Sequence, residues 1–224
     1  MNKVTNAIKL YVKTAINPIT LGFGILTMAI MVILFMVDPD PVGSEKYMSM
    51  IGAIGMGHMG VFFMVFLGAS ITHRIKFFGS SCNAKHLFIT APIVFSFVIC
   101  LTYDVIIAII AYANLGISAF ADVMIYNSIY SGVMILSASL LGKRKFEWLY
   151  VFPYMALIAI SGWIGKRETL QNGFGMTVST SVIIAIAAYT ISILVTVILA
   201  NRWWKTGDRL AMPTKFMQSV MGGQ

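Results

Sequence analysis

His58 and Asp104 are the two strongly titratable side chains that fall deep inside long apolar runs of this sequence. An imidazole and a carboxylate can share a proton or form an ion pair, and an ionised carboxylate is costly when it faces lipid alone. Each lies thirteen residues from the predicted cytoplasmic end of its span, at Ile71 or Ala91. That spacing is roughly 20 Å of helix, or two-thirds of a bilayer core. The two runs are consecutive and antiparallel, so we expect the side chains to meet.

Two interpretations of this pair stay open. His58 and Asp104 either line an internal cavity or an inter-subunit seam on a transport path, or they form a structural hydrogen bond that only fastens two helices. The run that follows them is polar for a lipid-facing helix and supplies Asn127 and Ser131. We therefore expect that run to be covered by its neighbours or to line the same path.

The composition places this chemistry in a membrane. Hydrophobic residues make up 58% of the 224-residue chain and charged residues 11%, and the mean hydropathy is +0.86. A soluble domain cannot carry that balance, because too few polar residues remain to cover its surface. Six apolar runs are long enough, or nearly so, to cross a bilayer. They span about 18–37, 48–71, 91–113, 123–141, 148–164 and 176–201.

The positive charge is distributed unevenly between the two predicted sides. Thirteen of the sixteen basic residues fall in the N-terminal segment, the second and fourth connections and the C-terminal tail. Basic residues that flank spans stay in the cytoplasm, so both termini are predicted to lie inside. The formal charge of +8 is then explained by topology and anionic lipid rather than by nucleic acid. The predicted fold is an all-α membrane protein, a single domain over 1–224 with six transmembrane helices.

Residues 3–16 precede the first run and are too polar to insert. Val4, Ile8, Val12 and Ile16 recur every four residues, with lysines on another face. This periodicity predicts an amphipathic helix that lies along the inner headgroup layer.

The second connection mixes charge with exposed aromatic side chains. Exposed phenylalanines are unfavourable unless they pack against something, so they either anchor this connection in the membrane interface or contact a cytoplasmic partner. The residues concerned are Arg74, Lys76, Phe77, Phe78 and Lys85.

Several kinds of chemistry have no signature in the sequence. It contains no phosphate-binding G-x-x-x-x-G-K-[ST] loop, no zinc-ligand spacing and no G-x-S-x-G nucleophile elbow. Neither inverted repeats nor interrupted helices, which are typical of secondary transporters, can be recognised. Glycines at 52, 55, 57 and 60 favour close helix packing in the second span rather than a ligand site.

The whole arrangement resembles the membrane subunit of a type-2 ABC exporter, a bacterial permease that works with a separate ATPase. The resemblance covers the entire chain and rests on the interfacial helix, the six spans, the basic aromatic second connection and the missing ATPase motif. It implies that Arg74 to Lys85 dock on an ATP-binding subunit, with Phe77 and Phe78 as buried contacts. ATP and Mg²⁺ are then bound by that partner, and no cofactor by this chain.

The resemblance also implies a location and a cargo. The chain is expected in the bacterial cytoplasmic membrane, as a homodimer or as a heterodimer with a sibling permease. Its size and Met-rich spans resemble permeases that export amphipathic or hydrophobic peptides. Relatives carry short re-entrant helices between spans five and six, and the matching stretch, 164–175, is brief here. Two alternatives stay open: a substrate-capture subunit of an ATP-driven importer, and a small intramembrane enzyme that uses His58 and Asp104.

Overall fold

The computed structural model describes residues 3–15, 18–37, 40–65, 84–138, 151–165 and 177–205, which are helical with short connections and contain no strand. After α3 the helix resumes over residues 59–65, and a π-helical turn, His86–Thr90, leads directly into α4. The helices are α1 (Lys3–Ala15), α2 (Pro18–Val37), α3 (Glu45–Met56), α4 (Ala91–Leu115), α5 (Ile117–Ala138), α6 (Val151–Gly165) and α7 (Val178–Lys205).

Five helical segments are long and apolar enough to cross a membrane, and α6 is described for 15 residues. The prediction of an all-helical, multi-pass membrane protein is therefore confirmed, whereas the number of six spans and the cytoplasmic location of both termini stay predictions. The five segments are Pro18–Val37, Glu45–Val65, His86–Leu115, Ile117–Ala138 and Val178–Lys205.

Helix α5 extends beyond the fourth predicted run, about 123–141, at its N-terminal end. Helix α5 begins at Ile117 rather than at 123, because Gly116 reverses the chain within a single residue at a φ of 81°. A positive φ of this kind is open to glycine at little cost. The earlier start places Asp122 inside the helix, although the sequence interpretation left it outside the membrane.

Helix α5 lies at the centre of the bundle. It packs against α3, α4, α6 and α7, and most of its residues are buried. The expectation that this polar run is covered by its neighbours is confirmed. The backbone groups of α5 bond to one another within the helix. Its buried polar side chains must therefore find partners on the surrounding helices.

Small residues allow α5 and α7 to approach closely. A Cβ added at Gly132 would lie 2.7 Å from the Ser192 hydroxyl, and the Thr196 hydroxyl donates to the Ile135 carbonyl oxygen at 3.2 Å. Ser192 and Thr196 are buried. They belong to a stripe of small residues in the last predicted span, which the sequence indicates as a packing face and which consists of Thr177, Ser181, Ala185, Ala188, Ser192 and Thr196. The stripe thus supports a helix contact of the small-residue type.

Helix α1 packs across one end of the bundle. Its Tyr11 is buried together with Leu87 and Ala91, its ring meets Phe95 edge to face, and its hydroxyl donates to the Val65 carbonyl oxygen at 3.4 Å. The helix is confirmed, whereas its place in the headgroup layer stays a prediction. The side that packs on the protein centres on Tyr11 and includes Ile8 of the predicted apolar face, whereas Val12 of that face is 40% exposed.

Changing Tyr11 to Phe should weaken this attachment by about 0.5–1.5 kcal/mol, the usual net contribution of one hydrogen bond. Because the ring stays in place, the loss should be confined to α1. Amide hydrogen exchange should therefore accelerate in α1 and stay unchanged in α5. Equal acceleration in both helices would show that the Tyr11 hydroxyl does not act locally.

Candidate functional site

The His58 and Asp104 side chains meet in the interior of the bundle. The His58 Nε2 lies 2.8 Å from the Asp104 Oδ1, and the two residues are 0% and 4% exposed. His58 follows α3, and Asp104 lies in the middle of α4. The antiparallel placement of the two spans therefore brings the predicted pair into direct contact; its role in transport stays a prediction.

Four helical spans converge on the Asp104 carboxylate. The Ser131 hydroxyl of α5 donates to Asp104 Oδ2 at 2.7 Å, and the Tyr189 hydroxyl of α7 donates to the same oxygen. The His58 Nε2 also lies 2.9 Å from Ser131 Oγ. We call these four residues the Asp104 centre. Since each comes from a different span, the centre fixes the relative positions of α3, α4, α5 and α7.

The hydrogen-bond partners determine how many protons the centre holds. The His58 Nδ1 lies 3.0 Å from the Gly55 carbonyl oxygen, which can only accept, so Nδ1 must donate. Nε2 faces Asp104 Oδ1. One proton must lie between these two atoms, because two acceptors without a proton would repel each other. The pair is therefore either an imidazolium with a carboxylate or an imidazole with a carboxylic acid. In both states the pair carries no net charge, which suits a site within a membrane.

Two tyrosine rings enclose the His58 ring. The Tyr103 ring contacts it edge to face at 5.0 Å between centroids, and the Tyr130 ring stacks on it at 5.8 Å. A Cβ at Gly57 would lie 2.0 Å from the Tyr103 hydroxyl, and one at Gly55 would lie 2.1 Å from the Tyr130 ring. The second-span glycines therefore provide the space for the rings that enclose His58.

The helix that carries His58 changes its hydrogen-bonding pattern at this residue, which the sequence did not reveal. The amides of Gly57, His58 and Gly60 bond to carbonyl oxygens three residues earlier rather than four. Such 3₁₀-type turns within a helix often mark functional hinges. The Ile54 carbonyl oxygen also accepts from the Tyr103 hydroxyl at 2.9 Å.

The geometry does not favour a serine nucleophile. In a Ser-His-Asp relay, serine and aspartate bond to different nitrogens of the imidazole. Here Ser131 and Asp104 face the same Nε2, and the Ser131 hydroxyl donates to the carboxylate. The Ser131 proton is thus directed at the carboxylate rather than at the imidazole, which is not the order of groups in such a relay. Nor do three metal-ligating side chains converge anywhere in the described ranges.

A second buried polar group lies about two turns from the Asp104 centre along α5. The Tyr47 hydroxyl donates to Asp122 Oδ2 at 3.2 Å, and Asp122 is 5% exposed. Between the two groups Asn127 is 1% exposed, and its Nδ2 has no hydrogen-bond partner within the described part of the chain. Asn127 and Ser131 are four residues apart on one helix and so share a face.

The remaining predicted site residues are not brought to this centre. Arg74, Lys76, Phe77 and Phe78 lie outside the described residues, as do most of residues 164–175. Lys85 is described and exposed. It directly precedes the π-helical turn on which α1 packs.

Sequence reasoning missed Tyr189, Tyr103 and Asp122, and it placed Tyr130 only among the polar side chains of the fourth run. A signal for Tyr189 was present, because it follows Ser181 and Ala185 at intervals of four along the stripe of α7. The stripe was assigned to Ala188 instead, since alanine matches a pattern of small residues. A tyrosine hydroxyl among small polar side chains was the better indicator of a buried acceptor.

Comparisons with protein-family models, with curated proteins and with solved structures find no match to this chain. The assignment of function therefore depends on the residues and contacts described above.

Proposed function

We propose that this chain is the permease subunit of an ATP-driven ABC exporter that moves an amphipathic or hydrophobic peptide out of a bacterial cell. A separate subunit binds ATP and Mg²⁺, and two permease chains, identical or sibling, enclose the route. Both termini then lie in the cytoplasm.

One observation carries the proposal: the contact of α1 with both ends of the second connection. Residues 66–83 link Val65 to Ala84, and Tyr11 contacts Val65 on one side of this connection and Leu87 on the other. The amphipathic helix thereby lies beside the two described residues that flank the basic aromatic connection. A cytoplasmic ATPase that contacts residues 74–85 would meet α1 as well.

The two spans that flank the second connection carry His58 and Asp104. His58 lies seven residues before Val65, and Asp104 lies on the helix that the π-helical turn begins. The helical segments between the connection and these two residues are short enough to be rigid. A shift of the connection therefore displaces His58 and Asp104, either together or relative to one another. This gives ATP-driven movement at the membrane surface a direct route to the interior.

The connections at the opposite end support export rather than capture from outside. Helices α4 and α5 are joined by Gly116 alone, and residues 38–44 connect α2 to α3. Neither is long enough to form a substrate-binding domain. Release of cargo at this end needs no such domain, whereas an importer must first collect its substrate there.

Co-purification tests this proposal. The full chain, tagged at its C-terminus and extracted gently from native membranes, should carry a stoichiometric ATP-binding subunit that mass spectrometry identifies. A Phe77→Asp, Phe78→Asp double variant should lose that subunit, because two charged side chains cannot occupy apolar contact positions.

A matched control separates docking from folding. Phe23→Asp, Ile25→Asp places the same charges on the exposed face of α2, which we predict to face lipid, so it should impair membrane insertion rather than docking alone. A chain that purifies without an ATP-binding subunit, and hydrolyses no ATP, would contradict the proposal and favour an intramembrane enzyme.

A further inference from the structure

The π-helical turn, His86–Thr90, joins the first and the last described helices. Its Leu87 packs with Tyr11 of α1, and its Phe88 ring stacks on the Trp204 ring of α7 at 6.4 Å between centroids. The turn therefore places α1 and the C-terminal end of α7 at the same end of the bundle, although the two helices are far apart in sequence.

This end of the bundle carries most of the described positive charge. Seven lysines and arginines are described, and one of them, Lys46, lies at the opposite end, near the start of the span that ends at Val65. The other six belong to α1, to the residue before the π-helical turn or to the last turn of α7, and all six are exposed. They are Lys3, Lys9, Lys13, Lys85, Arg202 and Lys205.

No carboxylate among the described residues opposes this charge. Asp40 and Glu45 lie at the opposite end, beside the connection of α2 to α3, and Asp104 and Asp122 are buried inside the bundle. Residues 66–83, which join the two spans at the charged end, contain no aspartate or glutamate. Within the described ranges, none of the six cations belongs to an ion pair. The surface is therefore positive and needs negative charge from outside the chain.

The arrangement of the cations fits a layer of headgroups rather than one compact anion. The six side chains are exposed and lie on three separate segments, so they do not surround a single phosphate group. The tryptophans among them, Trp203 and Trp204, are half-buried, and tryptophan is enriched at the boundary between headgroups and hydrocarbon. Each lysine or arginine near an anionic membrane surface strengthens binding by roughly fivefold.

We propose that this end of the bundle is a binding surface for anionic phospholipids, whose phosphate headgroups contact α1, Lys85 and the last turn of α7. Bound headgroups offset the repulsion between these cations, and they thereby stabilise the packing of α1 and α7 on the π-helical turn. The surface selects anionic over zwitterionic lipid, a preference that the orientation of the spans does not by itself require. This property goes beyond the proposed export function and does not depend on it.

Quenching of tryptophan fluorescence by brominated lipids tests the proposal. The purified full chain carries Trp148→Phe and Trp163→Phe, so that Trp203 and Trp204 report alone. It is reconstituted in phosphatidylcholine bilayers that contain increasing fractions of brominated phosphatidylglycerol or, for comparison, of brominated phosphatidylcholine. Phosphatidylglycerol should quench more strongly at equal fractions.

Salt should reduce this preference, whereas free phosphate should not compete for the surface. The screening length falls from about 10 Å at 0.1 M salt to about 3 Å at 1 M, so the preference should shrink at the higher concentration. Inorganic phosphate should not lower it more than chloride of equal ionic strength does. A phosphate-specific loss would indicate a site for a free anion and would overturn the proposal.

Charge variants assign the preference to this surface. The Lys9→Gln, Lys13→Gln double variant alters exposed side chains, so it should fold normally, lose roughly fivefold in selectivity for each charge removed and exchange its α1 amides faster. Lys9→Arg, Lys13→Arg keeps both charges and should keep the selectivity. Lys46→Gln, at the opposite end, should do the same.

Two results would contradict the proposal. One is equal quenching by the two brominated lipids in the wild-type background. The other is full selectivity in the Lys9→Gln, Lys13→Gln variant; if that variant also lost a co-purifying ATP-binding subunit, the cations would belong to a protein interface instead. Because the reconstituted bilayers contain no ATPase, lipid selectivity is measured independently of the export proposal.

Discussion

Replacement of Asp104 by alanine should lower the free energy of unfolding by about 3–5 kcal/mol, the usual cost of removing one partner from a buried ion pair. The loss arises because His58 would keep its charge or donor without a partner, and because the hydroxyls of Ser131 and Tyr189 would lose a common acceptor. Reversible unfolding in mixed detergent micelles, followed by circular dichroism, measures this change.

A double-mutant cycle distinguishes this explanation from simple loss of packing. The His58→Leu, Asp104→Leu double variant removes both charges together, so it should be less destabilised than the sum of its single variants. Ser137→Ala serves as the control, because the Ser137 hydroxyl bonds within its own helix. Additive single-variant losses would show that the two side chains are not energetically coupled.

Replacement of Gly55 by alanine should cost about 1–3 kcal/mol, the usual cost of overpacking a core. The new methyl group would lie 2.1 Å from the Tyr130 ring, and that ring is held between the His58 ring and the Ser161 hydroxyl. Because the Tyr130 ring is buried and stacks on His58, we expect its displacement to move the imidazole as well. A loss of stability with an altered His58 imidazole NMR signal would show this.

Gly162→Ala is the matched control for this substitution. A Cβ at Gly162 meets no atom within 4 Å, so the variant gains the helix propensity of alanine, up to about 1 kcal/mol, without a clash. Combining Gly55→Ala with Tyr130→Leu should relieve most of the cost by removing the ring. Equal stability of the Gly55 and Gly162 variants would contradict the proposed enclosure of His58.

The contact between His58 and Asp104 could be predicted because it depends only on the order of the spans and on the helical rise per residue. Antiparallel neighbouring spans and a constant rise per residue are enough to place two side chains at equal depth. The coverage of α5 was predictable for a similar reason. Asn127 and Ser131 are costly toward lipid, so a run that contains them must be surrounded by other helices.

Other parts of the centre depend on information that no single run contains. The contact of Tyr189 with Asp104 joins residues 85 positions apart, and span order does not determine whether the last helix packs beside α4 and α5. Helix α5 begins at Ile117, so Asp122, one residue outside the predicted fourth run, belongs to the helix. The 3₁₀-type turn at Gly57 and His58 depends on ring contacts across helices.

The periodicity of α1 also did not predict which side of the helix is buried. The spacing of Val4, Ile8 and Val12 predicts an amphipathic helix, but Tyr11 matches the ends of two spans in shape and supplies a hydroxyl. Burial raises the pKa of this hydroxyl above its ordinary value, so it remains a hydrogen-bond donor. Packing within the protein thus centres on Tyr11 and takes in Ile8 but not Val12 of the aliphatic series.

ATP-dependent transport is the most direct test of the proposed function. Inside-out vesicles from native membranes that contain the full chain are supplied with hydrophobic peptides and ATP, and mass spectrometry identifies the peptides that accumulate inside. The account predicts accumulation that requires ATP and is lost in the Phe77→Asp, Phe78→Asp double variant. Accumulation without ATP, or equal accumulation in vesicles that lack the chain, would contradict it.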